Sequence, residues 1–350
     1  LGWEFTPHLP APGLDDESEA PARRQDYARA GRRRLDETWY APLSDWCARH
    51  GVSLCGHPRD GDESGVLRHF HIPGQDVVWR FIEPDKPSSL EGPQSTQAKL
   101  TSSAMLHFGR RRNSNEFAGA YGHELSFDEF RFLANWLLVR GVNLLIPHAF
   151  YYSVRGPRHD ERPPDVGPHS PWWDRFKPFA DQCRQACWIN TDSLPVCDVA
   201  IACDPDHAPW RAARRLFENQ IDFNYLDVTL LDGIERTQHG IRLGSCEYAV
   251  MVFEPDMPKT VRDRLVDLNA IESCGAWLES VRARASPVVV PDMPAPWLRA
   301  RRVRHPSGEW LMLLNESLDP HEAAFEGRSL KFGPAELKLI GVNPDGSWRH

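Results

Sequence analysis

The organisation of this chain is clearest at residues 112–122, which read RNSNEFAGAYG. A short strand leads up to Glu116, and a run of small residues follows it. Ser126 then begins an amphipathic helix predicted over residues 127–139, and an apolar strand is predicted over residues 142–150. A strand, a helix and a second strand in this order predict a parallel unit of an α/β protein.

Glu116 is the first candidate for chemistry in this unit. A carboxylate at the carboxyl end of a parallel strand lies where barrel and doubly wound enzymes have their active sites. The structural alternative is a polar strand end in which Glu116 pairs with Arg111 or Arg112. The pattern alone leaves both interpretations open, and the residues at the other strand ends are needed to choose between them.

The composition is typical of a globular protein and argues against some partners. The 350 residues are 41% hydrophobic and 26% charged, with a net charge of −8, and a nucleic-acid binder would need a basic face. No apolar run approaches the eighteen or so residues of a membrane span. The eight cysteines form no Cys-x-x-Cys pair, which favours buried thiols over disulfides or zinc. We therefore expect a cytoplasmic location and no membrane partner.

Residues 1–193 contain four strand–helix units in succession. Strands that end in polar residues alternate with helices predicted over residues 22–50, 63–68, 94–108, 127–139 and 172–188. A closed (β/α)₈ barrel needs eight such units and about 250 residues. Residues 1–193 are therefore predicted to form either a smaller open sheet or the C-terminal half of a barrel. Because Leu1 is not a natural start, the half barrel is favoured.

Two further segments follow the predicted half barrel. Residues 194–286 restart with a buried strand over residues 197–202 and continue with alternating helices and strands, which predict a small flavodoxin-like α/β domain. Residues 287–350 change to short strands with turns at Pro306-Ser307-Gly308 and Glu326-Gly327. This last pattern predicts a small β-sandwich or part of one.

Polar and aromatic side chains crowd the strand ends of residues 1–193. Sugars bind to this mixture because carboxylates accept hydrogen bonds from hydroxyl groups and aromatic rings stack on C–H faces. Each residue also has a structural interpretation, such as core packing for Trp79 or Trp172, but their joint placement favours a site. The predicted sugar pocket contains His57, Gln75, Asp76, Trp79, Tyr121, His148, Tyr152 and Trp172.

Four motifs resemble large bacterial glycoside hydrolases. They are HP at residues 57–58, HIPGQD at 71–76, NEFAGAYG at 115–122 and RGVNLLIPHA at 140–149. Together with the PWW motif at residues 171–173, they resemble most closely the family 106 α-L-rhamnosidases and, more distantly, the family 42 β-galactosidases. The resemblance covers most of residues 52–253. It implies a (β/α)₈ barrel, a glutamine-amidotransferase-like domain and a β domain.

The same resemblance implies a role for Glu116. Glycosidic cleavage uses two carboxyl groups, one that protonates the leaving oxygen and one that attacks the anomeric carbon or activates a water. Glu116 would be the second, as nucleophile in a retaining enzyme or general base in an inverting one. The proton donor of such enzymes lies at barrel strand four, which would fall at or before Leu1, so the resemblance places the donor upstream of this chain. Glu4 is the only nearby substitute, but it lacks the Asp-Glu-Pro-like context of the family.

The expected activity is hydrolysis of a terminal sugar, with an α-L-rhamnoside as the preferred substrate. Family 106 enzymes also hold calcium near the site, although no run of oxygen ligands in this sequence predicts a calcium site. An inactive or carbohydrate-binding homologue is the first alternative. A thiol hydrolase that uses Cys246 is the second, but GSCEY at residues 244–248 lacks the second glycine of a nucleophile elbow. The open edges of a half barrel also predict homo-oligomers.

Overall fold

The computed structural model describes residues 20–349. They form two compact units, of which the smaller contains residues 20–54 with His69–His71 and the larger contains residues 55–68 with 72–349. The described strands all lie in the larger unit. Within residues 20–349, no helix has the length and apolar character needed to cross a membrane.

The smaller unit is a helical run. It consists of α1 (Ala20–Leu35), a π-helical turn (Asp36–Tyr40) and α2 (Ala41–Arg49), which confirms the helix predicted over residues 22–50. The π turn is followed by Ala41 and Pro42 at the start of α2, and Pro42 has no N–H group to donate to the preceding turn. Tyr27, Trp39 and Trp46, which follow the helical spacing of the sequence, are exposed.

The first sheet of the larger unit is parallel and follows the chain order. Its strands are β1 (Cys55–Gly56), β2 (Ile72–Val78), β3 (Ser114–Gly119) and β4 (Leu144–Pro147), and its helices are α3 (Gln97–His107), α4 (Phe127–Val139) and α5 (Phe176–Asn190). The mixed α/β fold with a parallel sheet is therefore confirmed. The connection from β1 to β2 contains a 3₁₀ turn (Gly65–His69) where a short helix was predicted.

Helix α4 shows why the sequence was informative in this region. Ser126 caps the helix through a reciprocal capping box, in which its hydroxyl accepts from the N–H of Glu129 at 3.2 Å and its own N–H donates to the Glu129 carboxylate at 2.9 Å. Phe130, Leu133 and Trp136 are fully buried on the helix. The helix spans the predicted residues because both its cap and its apolar spacing are local signals.

The second sheet is also parallel. Residues 194–286 form β5 (Leu194–Pro195), β6 (Val199–Cys203), α6 (Arg211–Glu218), β7 (Phe223–Asp227), β8 (Glu235–Arg236), β9 (Ile241–Leu243), β10 (Cys246–Tyr248), β11 (Val250–Phe253), α7 (Lys259–Asp267), β12 (Ile271–Glu272) and α8 (Trp277–Arg282). The parallel strands are ordered β12-β11-β6-β7, and β8 to β10 form a separate antiparallel sheet.

The last segment is antiparallel. Its strands are β13 (Leu298–His305), β14 (Gly308–Asn315), β15 (His321–Phe325), β16 (Arg328–Phe332), β17 (Leu337–Val342) and β18 (Trp348–Arg349). Five strands form one sheet in the order β18-β17-β14-β13-β5, and β15 pairs with β16 in a hairpin. Strands β16 and β18 were not predicted from the sequence. Apolar side chains including Leu313, Phe325 and Phe332 form a shared core.

Buried ion pairs join the three segments of the larger unit. Asp222, before β7, lies 2.5 Å from Lys99 on α3 and 3.3 Å from Arg301 on β13. A second triad joins Glu316 to Arg140 and to Arg299, each at 3.0 Å. All six side chains are at most 3% exposed. Since each carboxylate faces two cations from different elements, the segments depend on one another for charge compensation.

Candidate active site

Two carboxylates lie side by side on the accessible face of the first sheet. Asp76 on β2 is in register with Glu116 on β3, and Ile146 on β4 continues the same row. Residues opposite each other on parallel strands point to the same face, and neighbouring strands lie about 4.8 Å apart. Asp76 and Glu116 therefore form a carboxyl pair on this face.

Two imidazoles flank the carboxyl pair. His148 follows β4, and its Nδ1 lies 2.7 Å from Oε1 of Glu116, with 41% of the histidine side chain and 35% of the glutamate side chain exposed. His57 follows β1, and its Nδ1 donates to the carbonyl of Pro58 at 2.7 Å. Both imidazoles act electrostatically on Asp76. The structure thus brings together four of the residues that the sequence assigned to the pocket or to catalysis.

The Asp76 carboxyl has a perturbed acidity. Burial, and then the negative charge of Glu116, raise its pKa from 3.8 to about 6, against the opposing influence of His57 and His148. Its Oδ1 atom is buried without a hydrogen-bond partner among the described residues. Gly119 keeps the region open, because a Cβ there would lie 3.3 Å from His148 Nδ1 and 3.6 Å from Asp76 Oδ1. A carboxyl group with a raised pKa and an oxygen without a hydrogen-bond partner is suited to transfer a proton to a ligand hydroxyl or to form a hydrogen bond with it.

The backbone is strained beside this pair. Trp79 and Arg80, after β2, have φ angles of 58° and 55°, and Ala118 and Ala120, in and after β3, have φ angles of 70° and 55°. The register of the two strands shifts at Ala118. Such conformations cost about 1–3 kcal/mol each and are enriched at functional sites, where bulges also redirect side chains. The sequence did not reveal this strain, since none of the four residues is glycine.

Trp79 presents its indole ring at the edge of the site. The residue is 51% exposed, and the guanidinium of Arg162 lies over its ring at 5.0 Å. The backbone N–H of Trp79 donates to the carbonyl of Gly119 at 2.9 Å, which fixes the residue beside β3. An exposed ring in a fixed position is suited to stack on the C–H face of a sugar.

Tyr152 lies on the loop after β4. The loop borders a concavity of about 360 Å³ whose lining includes His148, Tyr151, Tyr152, Arg158 and Glu161. The side chain of Tyr152 is fully exposed. Hydrogen bonds from Ala149 N to Pro164 O at 3.2 Å and from Tyr151 Oη to Pro163 O at 3.0 Å anchor the loop. His148 connects the concavity to the carboxyl pair because it belongs to both.

The structure corrects two of the predicted pocket residues at the strands themselves. Gln75 precedes Asp76 in β2 and therefore points to the opposite face of the sheet, where it is 3% exposed and donates to the carbonyl of Gly61 at 3.2 Å. Tyr121 is buried, and its hydroxyl donates to the carbonyl of Ile82 at 2.6 Å. Both side chains therefore support the fold and do not line the accessible face.

Trp172 is a third correction. Its ring is buried and stacks on Phe130 with a centroid distance of 5.0 Å, and its Nε1 donates to the carbonyl of Leu125 at 3.3 Å. A ring enclosed in this way has no free face for a sugar. Tryptophan is frequent both in cores and in sugar sites, so the motif at residues 171–173 did not distinguish the two environments.

The residues of the site do not fit the calcium ion that the family resemblance implies. Among residues 20–349, no group of three or more His, Cys, Asp or Glu side chains is arranged to hold a metal ion. The carboxyl pair alone offers fewer oxygen ligands than the six to eight that calcium takes. Glu4, considered above as a substitute proton donor, lies outside the described residues.

Cys246 does not have the environment of a nucleophile. It lies on the antiparallel strand β10 and is buried, and this burial raises the pKa of its thiol. A reactive cysteine needs a stabilised and accessible thiolate. The thiol-hydrolase alternative is therefore disfavoured by the structure as well as by the sequence motif.

Comparison with known proteins gives a likeness of fold. No protein-family model and no curated protein matches this sequence. A solved structure of a rhamnosidase from Novosphingobium sp. PP1Y is similar to it with a TM-score of 0.64 and 13% identity, over 98% of this chain and 41% of that one. The chain thus spans about two fifths of the length of that protein.

Two β-galactosidase structures are also similar. The enzyme from the psychrophilic Marinomonas ef1 has a TM-score of 0.55 and 10% identity, over 93% of this chain and 69% of that one. A catalytic mutant of a GH42 β-galactosidase from G. stearothermophilus has a TM-score of 0.53 and 8% identity, over 79% and 60% of the two chains. At these identities the comparison establishes a shared fold, and the function must be argued from the site.

Proposed function

We propose that this chain carries one catalytic carboxylate and part of the sugar pocket of a glycoside hydrolase. The observation that supports this most is the Asp76–Glu116 pair, which lies beside His148 on the accessible face of a parallel sheet. The backbone strain after β2 and in and after β3, together with the exposed ring of Trp79, agrees with a binding site. The fold shared with a rhamnosidase and with β-galactosidases supports the same chemistry.

Glu116 is proposed as the carboxylate that acts at the anomeric centre. His148 holds one of its oxygens at 2.7 Å, which orients the carboxylate. In a retaining reaction Glu116 attacks the anomeric carbon, the bond to the leaving oxygen breaks, and a water later hydrolyses the glycosyl ester. In an inverting reaction Glu116 instead removes a proton from the attacking water. Either route takes the proton for the leaving oxygen from a second carboxyl group.

Asp76 and His57 are proposed to bind sugar hydroxyl groups. The free Oδ1 of Asp76 accepts a hydrogen bond from a hydroxyl when the carboxyl is ionised. The raised pKa also lets the carboxyl donate a hydrogen bond in mildly acidic solution. Trp79 is proposed as the stacking platform, and Tyr152 contributes to the neighbouring concavity.

The finer assignments form part of the same proposal. Residues 1–193 would be the C-terminal half of a (β/α)₈ barrel, residues 194–286 an amidotransferase-like domain and residues 287–350 a β-sandwich or a portion of one. The preferred substrate is a terminal α-L-rhamnoside, supported by the motifs at residues 57–58, 71–76, 115–122 and 140–149 and by the likeness to the Novosphingobium protein. The proton donor is proposed to lie upstream of this chain.

The test is hydrolysis of a panel of aryl glycosides, including an α-L-rhamnoside and a β-galactoside, by the full-length protein and by this chain. Activity of the full-length protein alone supports a site that this chain completes only in part. Activity of this chain shows that it contains its own proton donor. Sugar binding without hydrolysis in either protein would replace the proposal with the carbohydrate-binding alternative.

A further inference from the structure

The carboxyl ends of strands β6, β7 and β11 are where the α/β segment would bind a ligand of its own. The chain passes from β6 outward to β7 and returns to β11 on the other side of β6, so the winding direction reverses between β6 and β11. In open α/β sheets, ligands bind in the crevice outside the carboxyl ends at such a point. Asp204, Asp227 and Glu254 lie at these three strand ends.

This edge is occupied by a loop from the first sheet of the same chain. The N–H groups of Ser64 and Gly65 both donate to the carbonyl of Pro205, at 3.0 and 2.9 Å. The N–H of Ala208 donates to the carbonyl of Asp62 at 3.0 Å. A Cβ added to Gly65 would lie 2.8 Å from the Pro205 side chain, so the two backbones are in close contact.

The polar side chains at the edge also have partners within the protein. Ser64 lies at the centre, where its hydroxyl donates to Oδ2 of Asp227 at 2.6 Å in a buried environment. Oδ1 of Asp227 accepts from the N–H of Thr229 at 2.9 Å. Glu254 accepts from the N–H of Ala212 at 2.8 Å and so caps the start of α6. These carboxylates are therefore committed to the fold.

The same loop begins at the candidate active site. His57 follows β1 directly, and only six residues separate it from Ser64. Midway along the loop, the carbonyl of Gly61 accepts a hydrogen bond from Gln75, the neighbour of Asp76 in β2. The loop therefore has one end in the sugar pocket and the other in the crevice of the α/β segment.

We propose that the α/β segment acts as a support for the active site, and that Ser64 and Asp227 are positioning residues that hold the loop carrying His57. The proposal rests on the proposed function for the role of His57, but the physical attachment of the loop does not depend on it. The occupant of the crevice is the chain's own residues 60–65. The crevice at which the α/β segment would bind a ligand is therefore filled by protein. In this way a segment of flavodoxin-like pattern supports the candidate active site on the first sheet.

The test removes the Ser64 hydroxyl and measures the stability of the loop by amide hydrogen exchange. In Ser64→Ala, a buried hydrogen bond to a carboxylate is lost, and amide hydrogen exchange of residues 57–65 should rise about tenfold while that of β6 and β7 stays unchanged. Ser347→Ala is the matched control, because its hydroxyl also donates to a carboxylate, Asp345, but in an exposed turn. Gly65→Ala, which pushes against Pro205, should give the same local pattern.

The second readout is kinetic and uses the full-length protein with an aryl glycoside that it hydrolyses. Ser64→Ala should raise KM about tenfold with kcat nearly unchanged, since His57 is assigned to binding. Unchanged exchange in residues 57–65, or an equal rise throughout β6 and β7, would overturn the proposal. If exchange rises locally but the wild type hydrolyses none of the glycosides, the supporting role of the segment is upheld and the proposed function fails.

Discussion

The buried triad at Glu316 gives a quantitative prediction about how the segments are held together. Glu316 is 3.0 Å from both Arg140 and Arg299, and all three side chains are at most 3% exposed. Burial already lowers the pKa of Arg140 to about 10, although the charge of Glu316 opposes this shift. The substitution Glu316→Gln keeps the shape of the side chain but leaves two buried guanidinium groups without a counter-charge.

The expected loss follows from the burial of the triad. Breaking a buried ion pair by removing one partner destabilises a protein by about 3–5 kcal/mol, since a charge remains uncompensated away from water. For a unit of this size that loss lowers the thermal midpoint by about 6–10 °C, at roughly 2 °C per kcal/mol. Urea unfolding followed by tryptophan fluorescence, together with a thermal melt, measures both quantities.

Glu309→Gln is the matched control for this experiment. Glu309 also pairs with two arginines, Arg302 and Arg304, but its side chain is 32% exposed. Ion pairs in contact with water contribute about 0–1 kcal/mol, so this variant should unfold close to the wild-type midpoint. A loss below about 1 kcal/mol in Glu316→Gln, or equal losses in the two variants, would refute the reasoning from buried charge.

Three further predictions concern the site and its surroundings. The pKa of Asp76 is raised to about 6 in the folded state. The contribution of this carboxyl to stability is therefore fully present below pH 3.8 and is lost as the pH rises through about 6. Between about pH 4 and 7, the urea midpoint should consequently decline less steeply in Asp76→Asn than in the wild type. Trp79→Ala should weaken sugar binding about three- to tenfold by calorimetry, through loss of stacking, while Trp173→Ala leaves it unchanged. Trp172→Ala should lower the free energy of unfolding by about 3–5 kcal/mol, and a loss below 1 kcal/mol would contradict its place in the core.

Much of the first sheet was predictable because its signals are local. The capping box at Ser126 and the apolar spacing of α4 located that helix to the residue. The polar residues at successive strand ends led to His57, Asp76, Glu116 and His148, because parallel strands place their carboxyl ends at one edge. Strand β18 was missed because it has only two residues, and β16 because three of its five residues, Arg328, Ser329 and Lys331, are polar.

The remaining features depend on contacts between distant residues. Gln75 and Asp76 are adjacent in the sequence but point to opposite faces, and the face is set by the pairing of β2 with its neighbours. Each triad contains one pair of residues separated by more than a hundred positions, Lys99 with Asp222 and Arg140 with Glu316. Positive φ at Ala118 results from the packing around a bulge. None of these leaves a pattern within a short window of sequence.

The catalytic role of Glu116 is tested most directly by the rate of glycoside hydrolysis in Glu116→Gln, measured in the full-length protein. Glu124→Gln, which changes an exposed carboxylate on the neighbouring loop, is the control. We predict that Glu116→Gln lowers kcat by about 10²–10⁴-fold while sugar binding and the unfolding midpoint stay near wild type, and that Glu124→Gln retains activity. A wild-type kcat in Glu116→Gln would contradict the account and remove Glu116 from the mechanism.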